Sequence, residues 1–181
     1  MRALFQTLTV VLSVALLASC ASSSNQDVGN PVKWPSKAFS SVKAFAYHCD
    51  AEPGRDFIQA DGTYHKGVLR PGPVTLNPEQ IQRLQAAITL PQPKSWRTPC
   101  YVPHHAFVFY DTHGRRVANV DICFTCNKYR AFPGGMVEYP DMRSLYALVQ
   151  ELGLPTGTGK YFYRDLYDQQ GGYLGVSRGG Q

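Results

Sequence analysis

Apolar and polar residues alternate along two stretches of this chain and recur at helical spacing in two others. That pattern already predicts a mixed fold. Ser40–Cys49, SSVKAFAYHC, is rich in β-branched and aromatic residues and free of Gly and Pro, which predicts a first strand. A second strand is expected around Tyr64–Leu69. After Pro71-Gly72-Pro73, the stretch LNPEQIQRLQAAITL predicts a helix with Asn77 as N-cap and Pro78 at its first position. Ile81, Leu84 and Ile88 share one face of it, and Pro91 ends it.

The strongest alternation runs from His104 to Phe124: HHAFVFY, then Asp111-Thr112-His113-Gly114, then RRVANVDICF. This is a hairpin. Asp111 can bond the turn backbone, and Gly114 supplies a left-handed residue. The expected register pairs 111 with 115, 109 with 117, 107 with 119 and 105 with 121. A further helix is predicted from Asp141, turning Met142, Leu145, Leu148, Val149 and Leu152 inward and closing at Gly153-Leu154-Pro155. Strand, strand, helix, hairpin, helix implies an α+β domain: a small antiparallel sheet with a central hairpin and two helices packed on one face.

Composition sets the outer limits. The chain has 181 residues, 44% hydrophobic and 17% charged, enough for one packed core. Its 16 glycines and 13 prolines argue for many turns and against a helical bundle or coiled coil. The net charge of +5 comes from basic residues spread singly, so no nucleic-acid partner is expected.

The N-terminus reads as an address. In MRALFQTLTVVLSVALLASC, Arg2 precedes an apolar run from Val10 to Leu17, too short to cross a membrane, which fits a secretory signal over 1–19. Leu17-Ala18-Ser19-Cys20 resembles the lipobox of bacterial lipoproteins, in which the cysteine receives a diacylglyceryl group and becomes the new N-terminus. The resemblance implies a membrane partner reached through lipid on Cys20. Ala21 lacks the aspartate of an inner-membrane retention signal, so the implied location is the outer membrane, facing the periplasm. Residues 20–39 then read as a flexible tether, 40–156 as the domain, and 157–181, with seven glycines, as a Gly/Tyr-rich flexible tail. Tyr161, Phe162, Tyr163 and Tyr167 could dock that tail on the domain or on a partner.

Four cysteines remain: Cys49, Cys100, Cys123 and Cys126. In an oxidising compartment an even number implies disulfides, with three possible pairings. A Cys49–Cys100 bridge would contribute on the order of 4 kcal/mol by loop entropy, and a Cys123–Cys126 bridge about 2. The expected register also gathers Cys100, His105, Cys123 and Cys126 into a set able to hold Zn²⁺, with Asp121 behind the imidazole. A third use is thiol-disulfide or metal-handling chemistry at Cys123 and Cys126, although no thioredoxin-like pattern surrounds them. Asn127 stands where covalent haem attachment needs His. His48, His65 and His113 read as structural or solvated, and Arg115 with Arg116 as a solvated face able to touch anionic lipid or glycan.

The stretch Cys100–Cys126 resembles a segment of bacterial envelope proteins of unassigned role, in which a Cys, a Pro-x-His, a Tyr-Asp-x-x-Gly turn and an Ile-Cys-Phe-x-Cys end recur together. That resemblance implies no activity. Phosphate-loop, nucleophile-elbow, zinc-protease and dinucleotide motifs are missing from the sequence. The expectation is therefore a lipid-anchored binding or structural module rather than an enzyme, stabilised by disulfides or zinc, with an envelope protein or glycan as partner.

Overall fold

The computed structural model describes residues 29–52 and 54–172; the stretch expected to be a signal sequence, Cys20 and everything past residue 172 lie outside the described residues. Five strands form one antiparallel sheet: β1 (Ser41–Ala46), β2 (Val74–Thr75), β3 (His105–Tyr110), β4 (Arg116–Cys123) and β5 (Lys128–Phe132). Their order across the sheet is β2-β1-β3-β4-β5, so the central hairpin β3–β4 is flanked on both sides. Among the described residues three helices pack with the sheet: α1 (Pro78–Thr89), α2 (Met142–Glu151) and α3 (Phe162–Gln169). The α+β architecture expected from the sequence is the one observed.

Both long helices begin and end as their residues dictate. Asn77 Oδ1 accepts from the Gln80 N–H and Gln80 Oε1 accepts from the Asn77 N–H, each at 2.9 Å, a reciprocal cap. Asp141 accepts from the N–H groups of Arg143 and Ser144 at the start of α2. At its end Gly153 takes φ +69°, the Gly153 N–H donates to Gln150 O, and the Leu154 N–H donates to Val149 O. That is the six-to-one, five-to-two closure that a left-handed glycine permits.

One face of the sheet carries Val42, Ala44, Ala46, Phe107, Phe109, Ala118, Val120 and Ile122 against Leu84 and Ile88 of α1 and Leu145, Leu148 and Val149 of α2. Burying each of these larger side chains contributes roughly 1.5–3 kcal/mol. The opposite face, with Phe45, Tyr47, Ala106 and Val108, is covered by Phe57 and its loop. The stretch expected as a second strand makes only isolated bridges there, Tyr47 with Val68 and Ile58 with Tyr64, and the second strand is instead Val74–Thr75. The backbone does run close here, with the His48 N–H donating to Gly67 O and the Leu69 N–H to Ala46 O, and a Cβ at Gly67 would lie 2.2 Å from His48 O.

The hairpin register differs from the expected one by one residue. Its turn is as anticipated, with the Asp111 N–H donating to Arg115 O and Gly114 at φ +72°. Tyr110 pairs with Arg116, but Phe109 pairs with Ala118, so Val117 is an extra residue. Beyond that bulge His105 faces Ile122 and Asp121 faces Ala106. Because side chains alternate between faces, one residue of slip moves every later β4 group to the other side relative to β3.

The described parts of two segments expected to be flexible, residues 29–39 and 157–172, belong to the fold. Trp34, in the stretch read as tether, is buried against Phe109 with its ring edge-on, and its Nε1–H donates to Pro133 O at 2.7 Å. The stretch read as a Gly/Tyr-rich tail contains α3, whose Tyr163 is buried and whose Phe162, Leu166 and Tyr167 pack against the core.

Candidate functional site

The cysteine pairing is Cys100–Cys126, with α-carbons 5.7 Å apart; Cys49 and Cys123 are free and buried. Neither of the two pairings weighed by loop length, 49 with 100 or 123 with 126, is present. The reason is the short strand β5, which sequence pattern did not reveal. It turns the chain back after Cys123, so Phe124–Asn127 form a tight turn with Asn127 left-handed at φ +52°. Asn127 Nδ2 then donates to Ser95 Oγ and Trp96 O, and the Thr98 N–H donates to Cys126 O, drawing the 95–100 loop over the turn. Cys123 Sγ accepts from the N–H groups of Val102 and Cys126, at 3.4 and 3.3 Å. Burial pushes the Cys49 thiol up to about 12, with Asp50 adding to it, which leaves that thiol unreactive near neutrality.

The four-ligand zinc set does not assemble. Two of its thiols are joined to each other, and His105 stands on the helix-covered face, where its Nε2–H donates to Pro155 O at 2.8 Å. No group of three or more His, Cys, Asp or Glu among the described residues is placed to hold a metal ion. Asp121 is not behind His105 either. It lies on the opposite face, buried, where Oδ2 accepts from the Phe57 N–H at 2.7 Å and Oδ1 accepts from Asn119 Nδ2 at 3.2 Å. Desolvation raises Asp121 to about 7 despite those two donors.

What the structure does build beside the Cys-x-x-Cys turn is an apolar cleft of about 450 Å³. His104 and His105 form one wall, Phe124 of the turn and Tyr146 of α2 another, and Tyr163 of α3 closes it. Tyr163 stacks on His104 and meets His105 edge-on, while Phe124 meets Tyr146 edge-on. Burial lowers both histidines to about 4, so they are neutral rings at neutral pH. Each uses one nitrogen on a backbone carbonyl, His104 Nδ1 on Tyr47 O and His105 Nε2 on Pro155 O. His105 Nδ1 is then a bare acceptor, buried and without a hydrogen-bond partner among the described residues. Arg143 reaches the cleft from the exposed side of α2.

Of the residues singled out by sequence, His105, Phe124 and His104 reach this cleft, while Cys49, Cys123 and Asp121 do not line it. Tyr146 was missed, and Tyr163 was named only as a residue able to dock the C-terminal segment, not as part of a site. Tyr163 had a signal, since Phe162, Tyr163, Leu166 and Tyr167 repeat at i, i+4 spacing on one helical face. His48 and His65 are packed among aromatic rings, and Arg115 is paired with Asp111. Comparison with family profiles, with curated proteins and with solved structures returned no match.

Proposed function

We propose that this chain is a lipid-anchored binding protein of the bacterial cell envelope, attached through Cys20 to the outer membrane and facing the periplasm, whose apolar cleft takes a small hydrophobic ligand. The observation that carries the reading is the cleft itself: aromatic walls, neutral imidazoles and a volume of about 450 Å³, within the range usual for small-molecule sites. The lipobox residues Leu17-Ala18-Ser19-Cys20 support the address, and the Cys100–Cys126 bond suits an oxidising compartment. Binding is favoured over catalysis because, among the described residues, the cleft brings neither a carboxylate nor a thiol to its lining. The thiol-disulfide alternative loses support from the burial of Cys123 and Cys126.

Two measurements test this. Palmitate labelling and membrane fractionation of the full chain should show a lipidated, membrane-bound protein, and both should be lost in Cys20→Ser. Titration with the apolar fluorophore N-phenyl-1-naphthylamine should show saturable binding that Ala147→Trp abolishes, because the new indole would fill the cleft from α2. Unlabelled Cys20, or fluorophore binding indifferent to Ala147→Trp, overturns the corresponding half of the reading.

A further inference from the structure

A second cleft, of about 380 Å³, lies on the opposite face of the sheet, and its composition is of another kind. Two cross-strand pairs form its floor: Asn119 stands opposite Phe132, and Asp121 opposite Arg130. Directly opposed residues share a face with Cβ atoms about 5 Å apart, so these four make one compact patch. The patch is graded. Asp121 and Asn119 are buried, whereas the Phe132 ring at its edge is 71% exposed. Gln59 and Arg116 close the other side, Arg116 being held by a hydrogen bond from its guanidinium to Gly62 O.

We propose that this cleft binds a neutral hexose unit of a glycan. A pyranose ring carries hydroxyls that both donate and accept around its edge and C–H groups on its faces. It is matched by planar side chains that engage neighbouring hydroxyls in pairs, and by an exposed aromatic ring that covers the C–H face. Asp121, Asn119, Arg130 and Gln59 are the first kind, and Phe132 is the second. Protein donors use only one bond to each Asp121 oxygen, and an ionised carboxylate accepts about four, so acceptor capacity remains at the floor. Asp121 titrating near 7 lets it also donate to a hydroxyl close to neutrality.

The same residues argue against other occupants. A phosphate would meet Asp56 and Asp121 beside the arginines, and a metal ion would meet Arg130, which is paired with Asp56. An apolar molecule would strand the buried acid and amide without solvent. The site is independent of the apolar cleft, which opens on the other side of the sheet.

The test uses the folded chain with three probes: a soluble β-1,4 oligomer of N-acetylglucosamine, a soluble glucose oligomer and insoluble cell-wall sacculi. Amide chemical-shift mapping follows the first two and co-sedimentation the third. The expected result is saturable binding to at least one probe, with shifts at Asn119, Asp121 and Phe132, weakened about tenfold by Phe132→Ala and by Asp121→Asn. Sacculi and the amino-sugar oligomer binding together would identify a cell-wall glycan; the glucose oligomer alone would identify a neutral glucose polymer. Phe132→Ala removes an exposed ring and will fold even where Asp121→Asn does not. Ala147→Trp in the other cleft should leave sugar binding unchanged. No binding at millimolar sugar, or binding indifferent to Phe132→Ala, overturns the proposal.

Discussion

The phenol ring of Tyr163 lies flat on the imidazole of His104, with centroids 3.7 Å apart and planes 11° from parallel. This contact ties α3, late in the chain, to the first residues of the central hairpin. Tyr163→Ala should cost about 3 kcal/mol in urea unfolding and open residues 157–172 to limited proteolysis. Unchanged stability and unchanged cleavage would mean that α3 is not held by this ring.

Gly157 is the companion of that contact. A Cβ at this position would come within 2.4 Å of the Phe162 ring, so Gly157→Ala must push α3 away. A loss of about 1–3 kcal/mol is expected, with the near-ultraviolet circular dichroism of the tyrosines reduced. Gly153→Ala would test a different cost, since that glycine meets no neighbour and is needed only for its positive φ.

The Cys100–Cys126 bond closes a separation of 26 residues, for which loop entropy gives about 3.5 kcal/mol. Cys100→Ser and Cys126→Ser should therefore each lose the bridge's contribution, Cys126→Ser somewhat more because it also buries a hydroxyl, and the double variant should lose no more than Cys126→Ser alone. Cys49→Ala should cost only about 1 kcal/mol, since it removes one buried sulfur and no bond. Intact mass after alkylation of the unreduced, unfolded mature chain should show two blocked thiols. Full loss of the bridge's contribution in Cys49→Ala or Cys123→Ala, with none in Cys100→Ser, would indicate another pairing.

Opposing titrations shape the response to pH. Desolvation raises Asp121 to about 7 from 3.8, so its contribution to stability is complete below pH 4 and is lost as pH rises to 7. Desolvation lowers His104 and His105 to about 4 from 6.5, and their contribution is complete above pH 6.5 and lost as pH falls to 4. His48 and His65, also lowered by burial, act in the same sense. In Asp121→Asn the opposing contribution is gone, so stability should climb more steeply between pH 4 and 6.5 than in the parent chain. Urea midpoints across that range decide it, and equal slopes in both proteins would refute the assignment.

Trp34 makes a prediction about where the fold begins. A chain starting at Ser40 loses this buried indole, its hydrogen bond to Pro133 O and the Val32 N–H bond to Thr89 O. It should be less stable than one starting at Gly29 by about 3–5 kcal/mol. Equal melting temperatures would show that the residues before Ser40 act only as a tether.

The elements with strong local signals were legible in the sequence. Asn77-Pro78 and Asp141 fix helix starts by chemistry that depends on neighbours three residues away, and Asp111–Gly114 fixes a turn in the same way. The sulfur pairing was not legible, because it depends on β5, whose five residues Lys128–Phe132 carry mixed burial and no clean alternation. Nor was α3, where flanking glycines that suggest disorder include one, Gly157, that makes room for Phe162. The apolar cleft needed both: β5 to turn Phe124 inward and α3 to deliver Tyr163.

The extra residue at Val117 also decides what this domain can do at one time. With a straight ladder, His105 and Asp121 would have shared a single hollow, where proton affinity of one would track occupancy beside the other. Offset by one place, the imidazole and the acid are insulated by the thickness of a β-sheet, and the two proposed guests, of unlike chemistry, would sit on the same hairpin without competing for a single atom.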